Sequence, residues 1–301
     1  MMSLINALPG AVAQGLIWGI MAIGVYLTFR ILDIADLTVD GSLGTGGAVC
    51  IMLMLSGQNV WVAMAGATAA GMAAGLATGI LHTFMGIPAI LAGILTQLGL
   101  YSINLKTMGK ANQAINVDKY DLLVSLRFIR KVPFYKNTIL IVAIAIILLI
   151  VVLYWFFGTE LGCSLRATGC NDKMARAQGI NTDFNRVLGL MISNGLVALS
   201  GAMLCQYQGF ADINMGRGAI VIGLAAVIIG EAIFGKVFRN FGFKLLAVAL
   251  GSIIYYLVLQ VVIWLGIDTD MLKLLSAGVV AVFLAIPTWK SRYFSNMGKR
   301  G

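Results

Sequence analysis

Asp33, Asp36 and Asp40 recur at intervals of three and four in ILDIADLTVDGSLGTGGAV, and Glu231 stands inside the apolar run IVIGLAAVIIGEAIFG. An ionised carboxylate at bilayer depth is costly unless it faces water, a partner or a solute, so these positions are the first candidates for handling an ion or a polar molecule. Thr38, Ser42 and Thr45 add hydroxyls to the same segment, which makes Asp36, Thr38, Asp40, Ser42 and Thr45 a candidate pathway lining, with Gln97 and Glu231 contributed from elsewhere in the chain. Competing readings exist for each. Asp33 and Asp36 can be plain caps at the aqueous boundary, Glu231 can form a structural pair with a base such as Lys236, and interhelical hydrogen bonding explains Gln97, Ser102 and Asn104 equally well.

Covalent, metal and phosphate chemistry find no comparable constellation. His82 is the single histidine and sits at a predicted helix end, where a terminal hydrogen bond is its simplest role. Cys50, Cys163, Cys170 and Cys205 lack CxxC spacing, so neither a metal site nor a disulfide framework is expected. No GxxxxGK[ST] loop occurs to cradle a nucleotide. The chain is read as no enzyme and as holding no cofactor of its own.

The elements that position these side chains follow from composition. Sixty per cent of the 301 residues are hydrophobic and 11% are charged, with a mean hydropathy of +0.94. A helix needs about 20 mainly apolar residues to cross the hydrocarbon core, so the chain is an all-α, polytopic transmembrane bundle of eight to ten spans in a single domain, 1–301. Nine spans are predicted: Ala11–Phe29, Gly41–Leu55, Val60–Leu81, Ile87–Ile103, Thr138–Phe157, Val187–Gln206, Ala219–Phe234, Leu245–Leu265 and Met271–Pro287. The second and seventh are short and glycine-rich, and such interrupted segments are tolerated at membrane depth only when buried in protein or lining a cavity. The start, MMSLINALPG, lacks the basic region and cleavage site of a secretory signal.

The net charge of +9 sits in short loops, as topology signals do, and nucleic-acid binding is not expected. With 158–186 cytoplasmic, alternating spans place Lys236, Arg239 and Lys244, and the tail with Lys290, Arg292, Lys299 and Arg300, on the same side, and the N-terminus outside. The loop holding Lys106, Lys110, Lys119, Arg127, Arg130, Lys131 and Lys136 falls outside and runs against the rule. Ala67, Gly71, Gly75 and Gly79 form a small-residue face on the third span, as Gly15 and Gly19 do on the first; packing inside the bundle and a subunit interface are the two uses of such a face.

One polar island interrupts this pattern, GTELGCSLRATGCNDKMARAQGINTDFNR from Gly158 to Arg186. Asn171 is placed to cap a short helix over Asp172–Gln178, and Gly179 to end it in the left-handed region. On that helix Met174 and Ala177 share one side and Lys173 and Arg176 another. An apolar knob with basic neighbours at the membrane face suits a groove in a partner protein or lipid headgroups.

The run from Leu161 to Phe210 resembles the coupling region and following helix of ABC importer permeases of the branched-chain amino acid and ribose type. The pattern's positions are held here by Gly162, Arg166, Ala167, Asn171 or Asp172, Ala175, Gly179, Ile180, Asn181 and Thr182, then Gly201 and Gly209. The opening helix with its interrupted successor, and Gly218–Gly235 with the helix after it, are similar at lower specificity; Asp33, Asp36, Asp40 and Glu231 depart from the pattern. The resemblance implies a multi-pass permease of the cytoplasmic membrane, coupled through Arg166, Asn171, Asp172, Lys173, Met174, Arg176 and Gly179 to a cytoplasmic ATPase dimer that holds ATP and Mg. It also implies a second permease copy and an extracytoplasmic substrate-binding protein or lipoprotein. The solute is expected to be an amino acid or related compound, because the chain resembles the branch paired with lipoproteins that bind amino acids. Read from the residues alone, an ion-coupled secondary transporter using Glu231 and the aspartates is the alternative.

Overall fold

The computed structural model describes residues 2–117, 120, 122–126, 137–238 and 240–265, together with 271, 274, 277, 278, 280–282 and 285. Helix α1 (Met2–Tyr26) runs through a π-helical turn, Leu27–Ile31, into an extended connection, followed by α2 (Val39–Leu55), α3 (Val60–Thr83) and α4 (Ala89–Met108). Strand β1 (Asn112–Ala114) precedes α5 (Thr138–Gly158), the short α6 (Glu160–Cys170) and α7 (Asp172–Ala177), and the long α8 (Thr182–Gln208). Strand β2 (Phe210–Asp212), α9 (Ala219–Phe234) and α10 (Phe241–Trp264) complete the order. The two strands pair antiparallel, with Gln113 opposite Ala211, and are the only departure from an all-helical chain among the described residues.

Six helical stretches are long and apolar enough to cross a membrane, and the shorter apolar helices α2 and α9 stand where the sequence has its glycine-rich interrupted segments. The predicted span 271–287, the basic tail, Arg239, and Lys119, Arg127, Arg130, Lys131 and Lys136 of the loop after α4 lie wholly or largely outside the described residues.

Small residues decide which helices meet, because between helices in lipid close packing replaces the hydrophobic drive. The stripe on α3 faces α8: a methyl at Gly79 would come within 3.0 Å of Val187 Cα, and at Gly71 and Gly75 it would overlap the backbone oxygens of Asn194 and Leu190. On α1, a methyl at Gly15 would lie 2.8 Å from Ile253 Cα of α10, and Ser252 donates a hydrogen bond to the Gly15 carbonyl at 2.6 Å. Both faces are therefore used inside the bundle. Trp18 is buried against Tyr256. Helix α5, with a mean hydropathy of 3.3, is only 22% buried and leaves an aliphatic surface facing out of the bundle.

Candidate functional site

A polar layer lies inside the bundle where α2, α3, α4 and α8 meet. Asp36 is 3% exposed; its Oδ1 accepts the Thr38 N–H at 2.9 Å and its Oδ2 accepts from Asn194 Nδ2 at 2.7 Å. Asn194 Oδ1 in turn accepts the Ser42 hydroxyl at 2.6 Å. The Thr38 and Thr78 hydroxyls are 2.7 Å apart, and Thr78 donates to Thr96 at 2.9 Å. Thr45 donates to the Gly41 carbonyl at 3.0 Å. These bonds replace the water that Asp36 gives up on burial. The aqueous-boundary part of the cap reading is met at Asp33, which is exposed at φ 55°. It fails for Asp36, whose carboxylate is buried and bonded to Asn194 of α8.

Asp40 does different work. Its two carboxylate oxygens accept N–H groups from Gly218 and Ile220, each at 2.9 Å, so the first turn of α2 caps the start of α9. An anion there also complements the positive end of the α9 dipole. Helix α9 begins on Gly218 at φ 84°, a left-handed turn natural to glycine. Beside this junction a cavity of about 380 Å³ is lined by Asp40, Gln97, Tyr101, Asn104, Ile213 and Arg217, with Gly41 and Leu98. Gln97, Tyr101 and Asn104 follow i, i+4, i+7 spacing and so share one face of α4. The structure thus brings Asp40 and Gln97 to one cavity. It places Asp36, Thr38, Ser42 and Thr45 in the buried layer behind it and Glu231 elsewhere. Tyr101 and Arg217 were not singled out in the sequence; the helical spacing from Gln97 was the available signal for Tyr101.

Glu231 pairs not with Lys236 but with Arg30, Nη2 to Oε2 at 2.6 Å and Nε to Oε1 at 2.9 Å. The π-helical turn at the end of α1 is what presents Arg30 to α9.

The polar island forms a bracket at the same end of the bundle. Thr159 caps α6 and Asn171 caps α7, its Oδ1 accepting the Met174 N–H at 3.0 Å. Gly179 ends the bracket at φ 79°. Ala175 is buried against the bundle, whereas Met174 is 63% exposed and Lys173 also faces out. Arg176 is turned back: it donates to Thr182 at 2.7 Å and pairs with Asp183 at 2.9 Å, while Arg186 reaches Asp172 at 3.3 Å. Arg166 lies along α6, its Nη2 3.3 Å from Cys163 Sγ. The bracket is seated on α1: any side chain at Gly169 would overlap the Ile31 carbonyl, and Leu32 and Leu165 fill the space beside Gly189 of α8. A second cavity, about 480 Å³, separates Asn171, Asp172 and Arg186 from Asp33 and His82. His82 Nδ1 is 2.9 Å from the Ile87 carbonyl, the helix-end bond its position suggested.

The geometry therefore contains an exposed methionine on a capped short helix, close packing that joins α6 to the segment leading to Asp36, and a polar cavity at the α2–α9 junction. Residues 8–289 match the family described as "Branched-chain amino acid transport system / permease component". The chain is 38% identical over 283 residues to a tyrosine transport system permease protein of Clostridioides difficile (strain R20291), covering 93% of this chain and 91% of that one. It is 30% identical over 214 residues to an autoinducer 2 import system permease protein of Yersinia pestis (strain Pestoides F), covering 70% and 58%. A solved structure, PsaBC from Streptococcus pneumoniae in complex with Fab, shares the fold with a TM-score of 0.52 at 16% identity, covering 94% of this chain and 95% of that one. The chain belongs to the branched-chain amino acid transport system permease family, and it is the multi-pass permease component of an ATP-binding-cassette importer in the cytoplasmic membrane.

Proposed function

We propose that this permease carries an α-amino acid inwards, as a pair of copies fed by an extracytoplasmic substrate-binding protein and driven by a cytoplasmic ATPase dimer that holds the ATP and Mg. The relative named for tyrosine transport supports the solute class, with an aromatic amino acid as the first to try. The observation that carries the coupling assignment is the contrast within α7: Met174 stands 63% exposed on a capped helix whose next residue, Ala175, is only 4% exposed. A knob held this rigidly transmits force. Closure of the ATPase on Met174 and Lys173 would push α6 against Ile31 and Leu32, and through them the strand of chain leading to Asp36 and Thr38. Arg166, Asn171, Asp172, Arg176 and Gly179 keep the bracket in shape.

The test is uptake of L-tyrosine into proteoliposomes that contain the permease and its ATPase, with the binding protein outside and ATP inside. Accumulation that requires both ATP and the ATPase is expected. Accumulation by the permease alone under a proton or sodium gradient would contradict the reading.

A further inference from the structure

The cavity at the α2–α9 junction carries two features that lipid packing does not explain. Asn104 is 97% buried on its wall, yet its Oδ1 has no hydrogen-bond partner among the described residues. A buried amide oxygen left without a donor costs about 1–3 kcal/mol, so a site that keeps one commonly holds it for a ligand. Arg217 lines the same cavity and, among the described residues, forms no ion pair. The Asp40 carboxylate lines the same cavity, and its oxygens accept the Gly218 and Ile220 N–H groups and retain accepting capacity. The cavity lining therefore combines a cation, the Asp40 carboxylate and the Asn104 amide, with Tyr101 and Leu98 as a partly apolar wall.

We infer that this cavity is a binding site of the permease itself for the two charged ends of an α-amino acid, with Arg217 receiving the carboxylate and Asn104 Oδ1 and Asp40 receiving the ammonium. The inference rests on the importer reading above and deepens it. Guanidinium and carboxylate match as a bidentate pair, and an ammonium brings the donor that Asn104 lacks. At about 380 Å³ the cavity has room for a single small solute.

The experiment measures equilibrium binding of each radiolabelled proteinogenic amino acid, at millimolar concentration, to the permease–ATPase complex in lipid nanodiscs without binding protein. At least one should bind. For that amino acid Arg217→Gln and Asn104→Ala should each weaken binding about tenfold or more, while Asn104→Asp, which keeps an acceptor, should bind within a few-fold of the unaltered protein. Analogues lacking the amino or the carboxyl group should also bind about tenfold or more weakly. A measurement independent of those variants is the labelling rate of the thiol introduced by Gln97→Cys, read on its peptide, which the bound amino acid should slow. Binding unchanged by both substitutions, or no binding by a complex that still performs ATP-driven uptake, overturns the site and leaves the importer reading standing. A complex that shows neither binding nor ATP-driven uptake for any amino acid removes both.

Discussion

Arg30 and Glu231, 201 residues apart in the chain, meet in a bidentate ion pair with Nη2 and Oε2 2.6 Å apart. The pair ties the π-helical turn at the end of α1 to the last turn of α9, both at the end of the bundle that carries the bracket of α6 and α7. The side chains are 53% and 31% exposed, so water screens much of the attraction.

Glu231→Gln and Arg30→Gln should each lower the melting temperature slightly, and the double variant should lose less than the sum. A double-mutant cycle should return a coupling of about 0.5–1 kcal/mol. A coupling of zero, with uptake lost only in Glu231→Gln, would move Glu231 from a structural role to one in solute handling.

Asn194 and the Thr38 N–H are the two donors that hold the buried Asp36 carboxylate. Asn194→Leu removes the 2.7 Å bond to Asp36 and the acceptor for Ser42, leaving a buried carboxylate short of donors. A loss of about 3 kcal/mol or outright misfolding is expected, and Asp36→Asn in the same background should recover part of it. Thermal unfolding in detergent, followed by tryptophan fluorescence, is the check. An Asn194→Leu protein as stable as the parent would mean that water already reaches Asp36.

The cavity-lining Gln97 and the buried Ser42 should separate by labelling. A membrane-impermeant thiol reagent added from the extracytoplasmic side should modify Gln97→Cys and leave Ser42→Cys protected, because Gln97 lines the cavity and Ser42 is 0% exposed between α2 and α8. Equal modification of both would place the water-filled route through the buried layer.

Much of this architecture was legible in the sequence, and the reasons differ by element. Apolar length marks α5 and α10 directly, and Asn171 and Gly179 mark the two ends of the α7 turn because capping and left-handed turns restrict residue type. The four-residue spacing of Gly71, Gly75 and Gly79 announces a close contact, though only the structure shows that α8 fills it. The partners of the acidic residues were not legible. Arg30 faces Glu231, and Asn194 faces Asp36, through packing of helices distant in sequence, and a single chain carries no local signal for such pairs. Lys236, five residues from Glu231, looked the nearer base, but the turn after α9 left the pairing to Arg30. Asp40 was read as a pathway group from its depth alone; its bonds to Gly218 and Ile220 could be foreseen only by knowing that α2 and α9 begin side by side.

Force transmission through α7 is the central claim, and Met174→Asp tests it most directly. The substitution replaces the exposed knob and leaves Asn171, Ala175 and Gly179 in place, so the permease should fold and melt as before. Measured in proteoliposomes with ATPase and loaded binding protein, stimulation of ATP hydrolysis and uptake should both fall about tenfold or more, as expected when an anchor residue of an interface is lost. A Met174→Asp transporter with normal stimulation and normal uptake would show that the ATPase does not act through this helix.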